Sequence, residues 1–293
     1  MNKRPHITEI NLCTGKKGRL HRILHESGLR NGTAMLLPYG LGFGLGTSDV
    51  HAGPAPDSPT DAIRFAFEGR FNGMVLPVNL AEKFYWDYAG ELPLILALNA
   101  TPGGPDANPV LQGTVADAVR LGADAVGYFL YADSPVRNGG HGDFQMVRED
   151  ADRFGMPLFV WAYPRGSTIQ EMGGTESLYA VDYATRTAHR LGADVVTVRF
   201  PHPEKQGRRL SANVPRIYPQ EAIDTVVRTA DETLVIVSSG RDATDEAMVT
   251  ETQHAMQAGA AGIVFDRALG QRDHRAWMPL IRELRHGLGI YCS

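Results

Sequence analysis

Three polar side chains stand inside otherwise apolar runs: Tyr163 closes Leu158–Tyr163, and Thr197 and Arg199 interrupt Asp194–Phe200. In an extended strand, alternation by two puts Thr197 and Arg199 on one face. Threonine has no amine, and an arginine is not deprotonated in a protein, so neither can form an imine with a carbonyl substrate. A guanidinium can instead hold an enolate, carboxylate or phosphate by fixed charge, without a covalent bond. The hydroxyl of Tyr163 can serve as general acid or base. Asn99 and Tyr131, at the ends of two further apolar runs, add candidate substrate contacts, although Tyr131 reads equally as a core tyrosine with a satisfied hydroxyl. Arg165, in YPRG, reads either as reaching the pocket or, preferably, as a clamp on its own loop.

Other chemistry was weighed against this set. The chain has five lysines: Lys3, Lys16, Lys17, Lys83 and Lys205. Lys83 reads as a surface residue, and Lys205 as either a relocated nucleophile or a solvated loop lysine. Asp49, His51, His141, Asp143 and His202 are candidate metal ligands, but they come from separate loops and lack a spaced motif. No metal or other cofactor is therefore expected, and His202 is placed among the substrate contacts. Ser238, Gly240, Arg241 and Arg267 suit an anion, particularly with a helix starting near Asp242 or Ala243. Asp266 opposes that reading unless it pairs with Arg241 or Arg267.

The elements that must carry these residues follow from hydrophobic pattern. Apolar runs recur roughly every thirty residues, the length of a strand–helix unit. Strands are predicted at Thr33–Tyr39, Gly73–Val78, Leu94–Asn99, Ala125–Tyr131, Leu158–Tyr163, Asp194–Phe200, Leu234–Ser239 and Gly262–Asp266. Helices are predicted at Pro59–Glu68, Val115–Leu121, Glu176–Arg190, Tyr218–Thr229 and Asp245–Gln257. Near-continuous apolar strands alternating with amphipathic helices imply a parallel sheet covered on both faces. Eight such units close a (β/α)8 TIM barrel, the α/β fold expected over residues 33–293. Residues 1–32 read as an N-terminal extension with a short helix, Leu20–Ser27, closing the barrel base.

The motifs LGADAV (Leu121–Val126), LGADVV (Leu191–Val196) and AGAAGIV (Ala258–Val264) each end a helix on glycine and enter a strand. Such junctions lie at the base of a barrel and speak of stability. Long loops at Gly40–Ser58, Thr101–Pro109, Asp133–Gly142 and His202–Pro215 all follow strands, the end where barrel proteins build their sites.

Composition bounds the remainder. The chain has 293 residues, 43% hydrophobic and 21% charged, with a formal net charge of −4. This is an ordinary globular balance without the basic surplus of a dedicated nucleic-acid binder. The start MNKRPHITEINLC lacks the apolar core of a signal peptide, and no apolar run approaches the ~18 residues of a membrane span. Cys13 and Cys292 are the only cysteines, too few for a disulfide framework, so a cytoplasmic setting is expected.

Several segments carry a resemblance: NLAEKFYWD (Asn79–Asp87), PLILALN (Pro93–Asn99), LGADAVGYFLYADS (Leu121–Ser134), MPLFVWAYPRG (Met156–Gly166), LGADVVTVRF and AGAAGIVFDR (Ala258–Arg267). Through them the chain, from about Ala34 to Leu284, resembles the archaeal-type class I fructose-bisphosphate aldolases of the wider deoxyribose-phosphate aldolase-like group. The resemblance implies a proton-transfer role for Tyr163 and a phosphate site at Ser238, Gly240 and Arg267. It also implies a homo-oligomer. The departures are larger: the family's imine lysine falls at Thr197, its strand-three lysine at Ala97, and its strand-one aspartate at Gly40. The mouth loop GLGFGLG is apolar where the family is charged, so a larger and less charged ligand than a sugar bisphosphate is expected.

The expectation is thus a divergent aldolase-like enzyme doing lyase, cyclase or isomerase chemistry on a carbonyl-containing small molecule, without a Schiff base. A non-catalytic homologue serving ligand binding or assembly is the alternative. Neither nucleic acid nor membrane is expected as a partner.

Overall fold

The computed structural model describes residues 6–41, 58–100, 109–133, 142–205, 217–239, 243–266 and 274–290. Among them, eight parallel strands close a barrel in sequential order. They are β1 (Ala34–Pro38), β2 (Gly73–Pro77), β3 (Leu94–Ala97), β4 (Ala125–Asp133), β5 (Leu158–Arg165), β6 (Val195–Arg199), β7 (Leu234–Ser238) and β8 (Gly262–Val264). Helices α1 (Thr14–His21), α2 (Pro59–Glu68), α3 (Val78–Phe84), α4 (Val115–Arg120), α5 (Gly142–Arg153), α6 (Leu178–Leu191), α7 (Pro219–Thr229), α8 (Asp245–Gln257) and α9 (His274–Ile290) complete the frame. The (β/α)8 architecture is the one the hydrophobic pattern predicts.

Alternation by two sorts the strand residues into two cores. Leu36, Val75, Ile95, Phe129, Phe159, Trp161, Val195, Ile236 and Val264 fill the barrel. Leu37, Leu76, Leu96, Val126, Val160, Val196 and Val237 face outward and pack with Ile63, Val147, Ala184, Ile223 and Leu284 of the helices. Full burial of one such side chain contributes about 1.5–3 kcal/mol, so each strand is held from both faces. The glycines of the repeated junctions, Gly122, Gly192 and Gly259, have φ of 69°, 92° and 89°. A left-handed cap of that kind favours glycine, and it turns each helix into the next strand.

The structure shifts several predicted boundaries: β4 and β5 each run two residues longer, to Asp133 and Arg165, and three other shifts have a visible cause. The first helix begins at Thr14 rather than Leu20 and continues as a π turn over Arg22–Glu26. Gly15 and Gly18 disguised it, since glycine is a poor helix former. Gly15 is used because a Cβ there would sit 3.1 Å from the Cα of Gly155. Strand β3 stops at Ala97 instead of Asn99. Asn99–Ala100 instead pairs antiparallel with Val110–Leu111, and the Leu98 carbonyl accepts from Gln112 and Gly113. Helix α6 starts after Ser177, whose side chain accepts from the Ala180 N–H, so Glu176 lies just outside it.

Leu20, Ile23 and Leu24 of the N-terminal segment are buried among the inward strand residues and plug the barrel base. Polar groups fix the plug. Lys16 pairs with Asp194 at 2.8 Å and Asp152 at 2.6 Å, and Arg22 with Asp124 at 2.6 Å. Asp124 and Asp194 are the aspartates of the two LGAD motifs.

Candidate active site

The end of the barrel opposite the plug gathers the polar strand residues. Tyr131 and Tyr163 are register partners on β4 and β5, with ring centroids 6.0 Å apart. The Arg165 guanidinium lies 4.6 Å over the Tyr131 ring, a cation–π contact. Arg199 on β6 is the register partner of Ser238 on β7, and the Ser238 hydroxyl donates to Asp266 at 2.5 Å. Asp266 therefore has a partner on β7; Gly240, Arg241 and Arg267, its expected companions in an anion site, lie outside the described residues.

Arg199 is the charged centre of this end. Its Nη1 donates to Glu176 at 2.6 Å, and the other carboxylate oxygen of Glu176 accepts from Lys205. Burial works against the Arg199 charge, and Tyr163, Glu176 and Asp266 more than offset it, holding the guanidinium above its ordinary pKa. Burial likewise opposes the Glu176 charge, yet Lys205 and Arg199 pull its pKa below the usual carboxylate range. The Glu176 carboxylate is thus held in its charged form between two cations.

One layer deeper, Thr197 is 3% exposed, and its hydroxyl has no hydrogen-bond partner among the described residues. Its register neighbour Trp161 lies 5.2 Å from Phe129, centroid to centroid. A Cβ on Gly127 would meet the Trp161 ring at 3.0 Å, so a side chain there would push the indole aside. Asn99 commits its carboxamide to strand β4: Nδ2 donates to the Phe129 carbonyl at 3.0 Å and Oδ1 accepts from the Phe129 N–H at 2.8 Å. In this position it braces the strand.

His202 turns toward the outer layer. Its ring packs edge-on against Phe200, 5.8 Å away, with Nδ1 3.1 Å from Glu204 and Nε2 3.7 Å from Glu251. Glu251, on α8, is a functional candidate that the sequence reading missed. Burial, and then the carboxylates of Glu176, Asp266 and Glu204, push it up to about 7 against the opposing Ser239 hydroxyl. Helical periodicity read it as one more polar residue of an amphipathic face. Glu176 was missed for a similar reason, being taken as the first residue of a helix.

Lys3 lies outside the described residues; the other four lysines can be placed. Lys16 and Lys17 belong to the plug, Lys83 is exposed on α3, and Lys205 is half-exposed beside Glu176. Of the metal-ligand candidates, Asp49, His51 and His141 lie outside the described residues. Among the described residues no three His, Cys, Asp or Glu side chains gather as a metal site, and no helix is long and apolar enough to cross a membrane.

Comparison with known proteins fits this frame. The DeoC/LacD family aldolase pattern matches residues 52–272. The class 1 fructose-bisphosphate aldolase of Thermoproteus tenax is 30% identical over 262 residues, 88% of this chain and 91% of the relative. A 2-amino-3,7-dideoxy-D-threo-hept-6-ulosonate synthase of Halobacterium salinarum is 31% identical over 184 residues, 62% of each chain. The crystal structure of an archaeal fructose 1,6-bisphosphate aldolase superposes with a TM-score of 0.73 at 28% identity, covering 92% of this chain and 98% of that one. Another archaeal aldolase, with its catalytic lysine covalently bound to the carbinolamine intermediate, gives 0.72 at 27% identity, covering 92% and 99%. The chain belongs to the DeoC/LacD family of aldolases, as a homologue of the archaeal class 1 fructose-bisphosphate aldolases.

Proposed function

We propose that this protein is an aldolase-like enzyme that makes or breaks a bond next to a carbonyl at the Arg199 end of the barrel, without a lysine imine. The observation that supports it is the position of Arg199: partly exposed at the strand end, above Thr197 and within the field of Tyr163. A lysine-dependent aldolase draws the electrons of the breaking C–C bond into a protonated imine. Here the electron pair moves onto the ketone oxygen, and the resulting enolate is held by the Arg199 guanidinium. Tyr163 takes the proton of the cleaved alcohol and returns a proton to the enolate carbon. Thr197 and Tyr131 contact the same compound. No cofactor enters these steps.

The test uses simple ketones in place of the physiological substrate. Dihydroxyacetone and dihydroxyacetone phosphate are incubated with the protein in D2O, and loss of the α-proton signal is followed by NMR. Borohydride is added in parallel, and the protein is weighed by mass spectrometry. Catalysed exchange with no borohydride-stable adduct is the expected result. An adduct at Lys205 or any other lysine overturns the imine-free mechanism. Failure to exchange either ketone favours the non-catalytic reading, a homologue that binds a ligand or serves assembly.

A further inference from the structure

We infer that Glu176 is a positioning residue: it aims Arg199 and latches residues 201–205, the segment that follows β6, beside it. The functional half rests on the mechanism proposed above; the latch stands on geometry alone. Glu176 uses every acceptor it has on one small region. One side-chain oxygen accepts from Arg199 at 2.6 Å, and the other accepts from Lys205. Its backbone carbonyl accepts from the His202 N–H at 2.7 Å. Arg199, His202 and Lys205 thus reach a single residue from the strand end and from two points on the following loop. The Lys205 N–H donates in turn to the His202 carbonyl at 3.0 Å, tightening that loop into a turn.

The anchor itself is fixed. Glu176 precedes Ser177, which caps α6 through Ala180 N–H and donates to the Gly174 carbonyl at 2.8 Å. Gly173 and Gly174 take φ of 111° and 86°, a turn that side chains rarely tolerate. Glu176 also stands beside the start of α6, where the helix dipole favours negative charge. An arginine without such a partner would sample several rotamers, and its charge would be smeared across the mouth. Paired to a fixed carboxylate, the planar guanidinium has one plane and keeps its remaining N–H groups for a ligand.

Glu176→Gln keeps shape and removes the charge, and Glu176→Asp keeps charge but shortens the reach. Two readouts are taken on both. The first is labelling of Arg199 by phenylglyoxal and of Lys205 by an amine-reactive ester, quantified by peptide mass spectrometry. Losing a charge-assisted hydrogen bond shifts an equilibrium by about tenfold or more, so labelling of both residues should rise by that order in Glu176→Gln. Glu176→Asp should recover part of the protection. The second readout is α-proton exchange on dihydroxyacetone. Arg199 acts on charge that develops in the transition state, so kcat should fall about tenfold in Glu176→Gln while KM changes by less than about twofold. Unchanged labelling overturns the latch, and raised labelling with unchanged kcat overturns the positioning role. If the wild-type protein exchanges no ketone, the proposed function fails, and labelling alone decides the latch.

Discussion

The ammonium of Lys16 lies 2.8 Å from the Asp194 carboxylate, and both side chains are about 95% removed from solvent at the base of the barrel. Asp194 also accepts from the Leu158 N–H at 2.8 Å, so the pair joins the N-terminal plug to the first residues of β5 and β6. Breaking a buried pair from one side leaves an uncompensated charge and costs about 3–5 kcal/mol. Lys16→Ala should lower the unfolding free energy, measured by chemical denaturation, by an amount of that size. The double variant Lys16→Met with Asp194→Asn, which leaves no buried charge behind because Asp152 is half-exposed and also pairs with Arg148, should recover most of it. A single variant as stable as the wild type would remove the pair from any account of how the plug is held.

Glu251 gives the fold a pH dependence of its own. Its folded pKa, about 7, lies above the ordinary glutamate value of 4.5, because burial disfavours the charged form. The folded state therefore binds more protons than the unfolded state between those values, and stability falls as pH rises through that window. The stabilisation is complete below pH ~4.5 and lost by pH ~7, a change of order 3 kcal/mol at most. Melting temperatures of wild type and Glu251→Gln, measured across this range, should diverge, with the variant showing the flatter profile. Parallel profiles would mean that Glu251 titrates normally.

At the opposite end, Tyr163→Phe keeps the ring and removes the proton carrier. A general acid–base group contributes about 10²–10⁴-fold, so α-proton exchange on dihydroxyacetone should fall by at least the lower figure. Arg199→Met should lose a comparable factor, and Arg199→Lys should not restore it, since a point charge cannot reproduce the planar fork. Folding of each variant is checked by circular dichroism. Exchange at the wild-type rate in Tyr163→Phe would assign proton transfer elsewhere.

The seam where β8 meets β1 tolerates no side chain at Gly262. A Cβ there would lie 2.0 Å from the Ala34 carbonyl oxygen, and backbone in a closed barrel has little room to retreat. Gly262→Ala should therefore yield insoluble or markedly destabilised protein, read as soluble yield and melting temperature. Gly122→Ala is the comparison: its φ of 69° is strained for alanine, but nothing lies within 4 Å of the new atom. That variant should lose only about 1 kcal/mol.

The barrel was legible because its signals are local and repeated. Pro59–Glu68 and Asp245–Gln257 were read to the residue, since Ser58 and Thr244 cap them with side chains that accept from Asp61 and Ala247. Helix α1 begins earlier than its pattern suggests because Gly15, a poor helix former, serves a contact with Gly155, remote in sequence. Strand alternation put Thr197 and Arg199 on one face, and Val195 on that same face fills the barrel. Glu176 and Glu251 were invisible for the opposite reason: each matters through partners from other elements, and no spacing rule links position 176 to 199 or 251 to 202. The LGAD aspartates lay between these cases. The motif was noticed for its glycine, but each aspartate turned out to receive a cation from the N-terminal segment.

The aromatic layer of Trp161 and Phe129 has a consequence for what this mouth can admit. The two rings, with centroids 5.2 Å apart, lie on the strands that carry Tyr131 and Tyr163, two residues before each, so a guest held by Tyr163 and Arg199 would meet aromatic surface on its inner side. A flat apolar flank, more than added charge, would then gain a hold there.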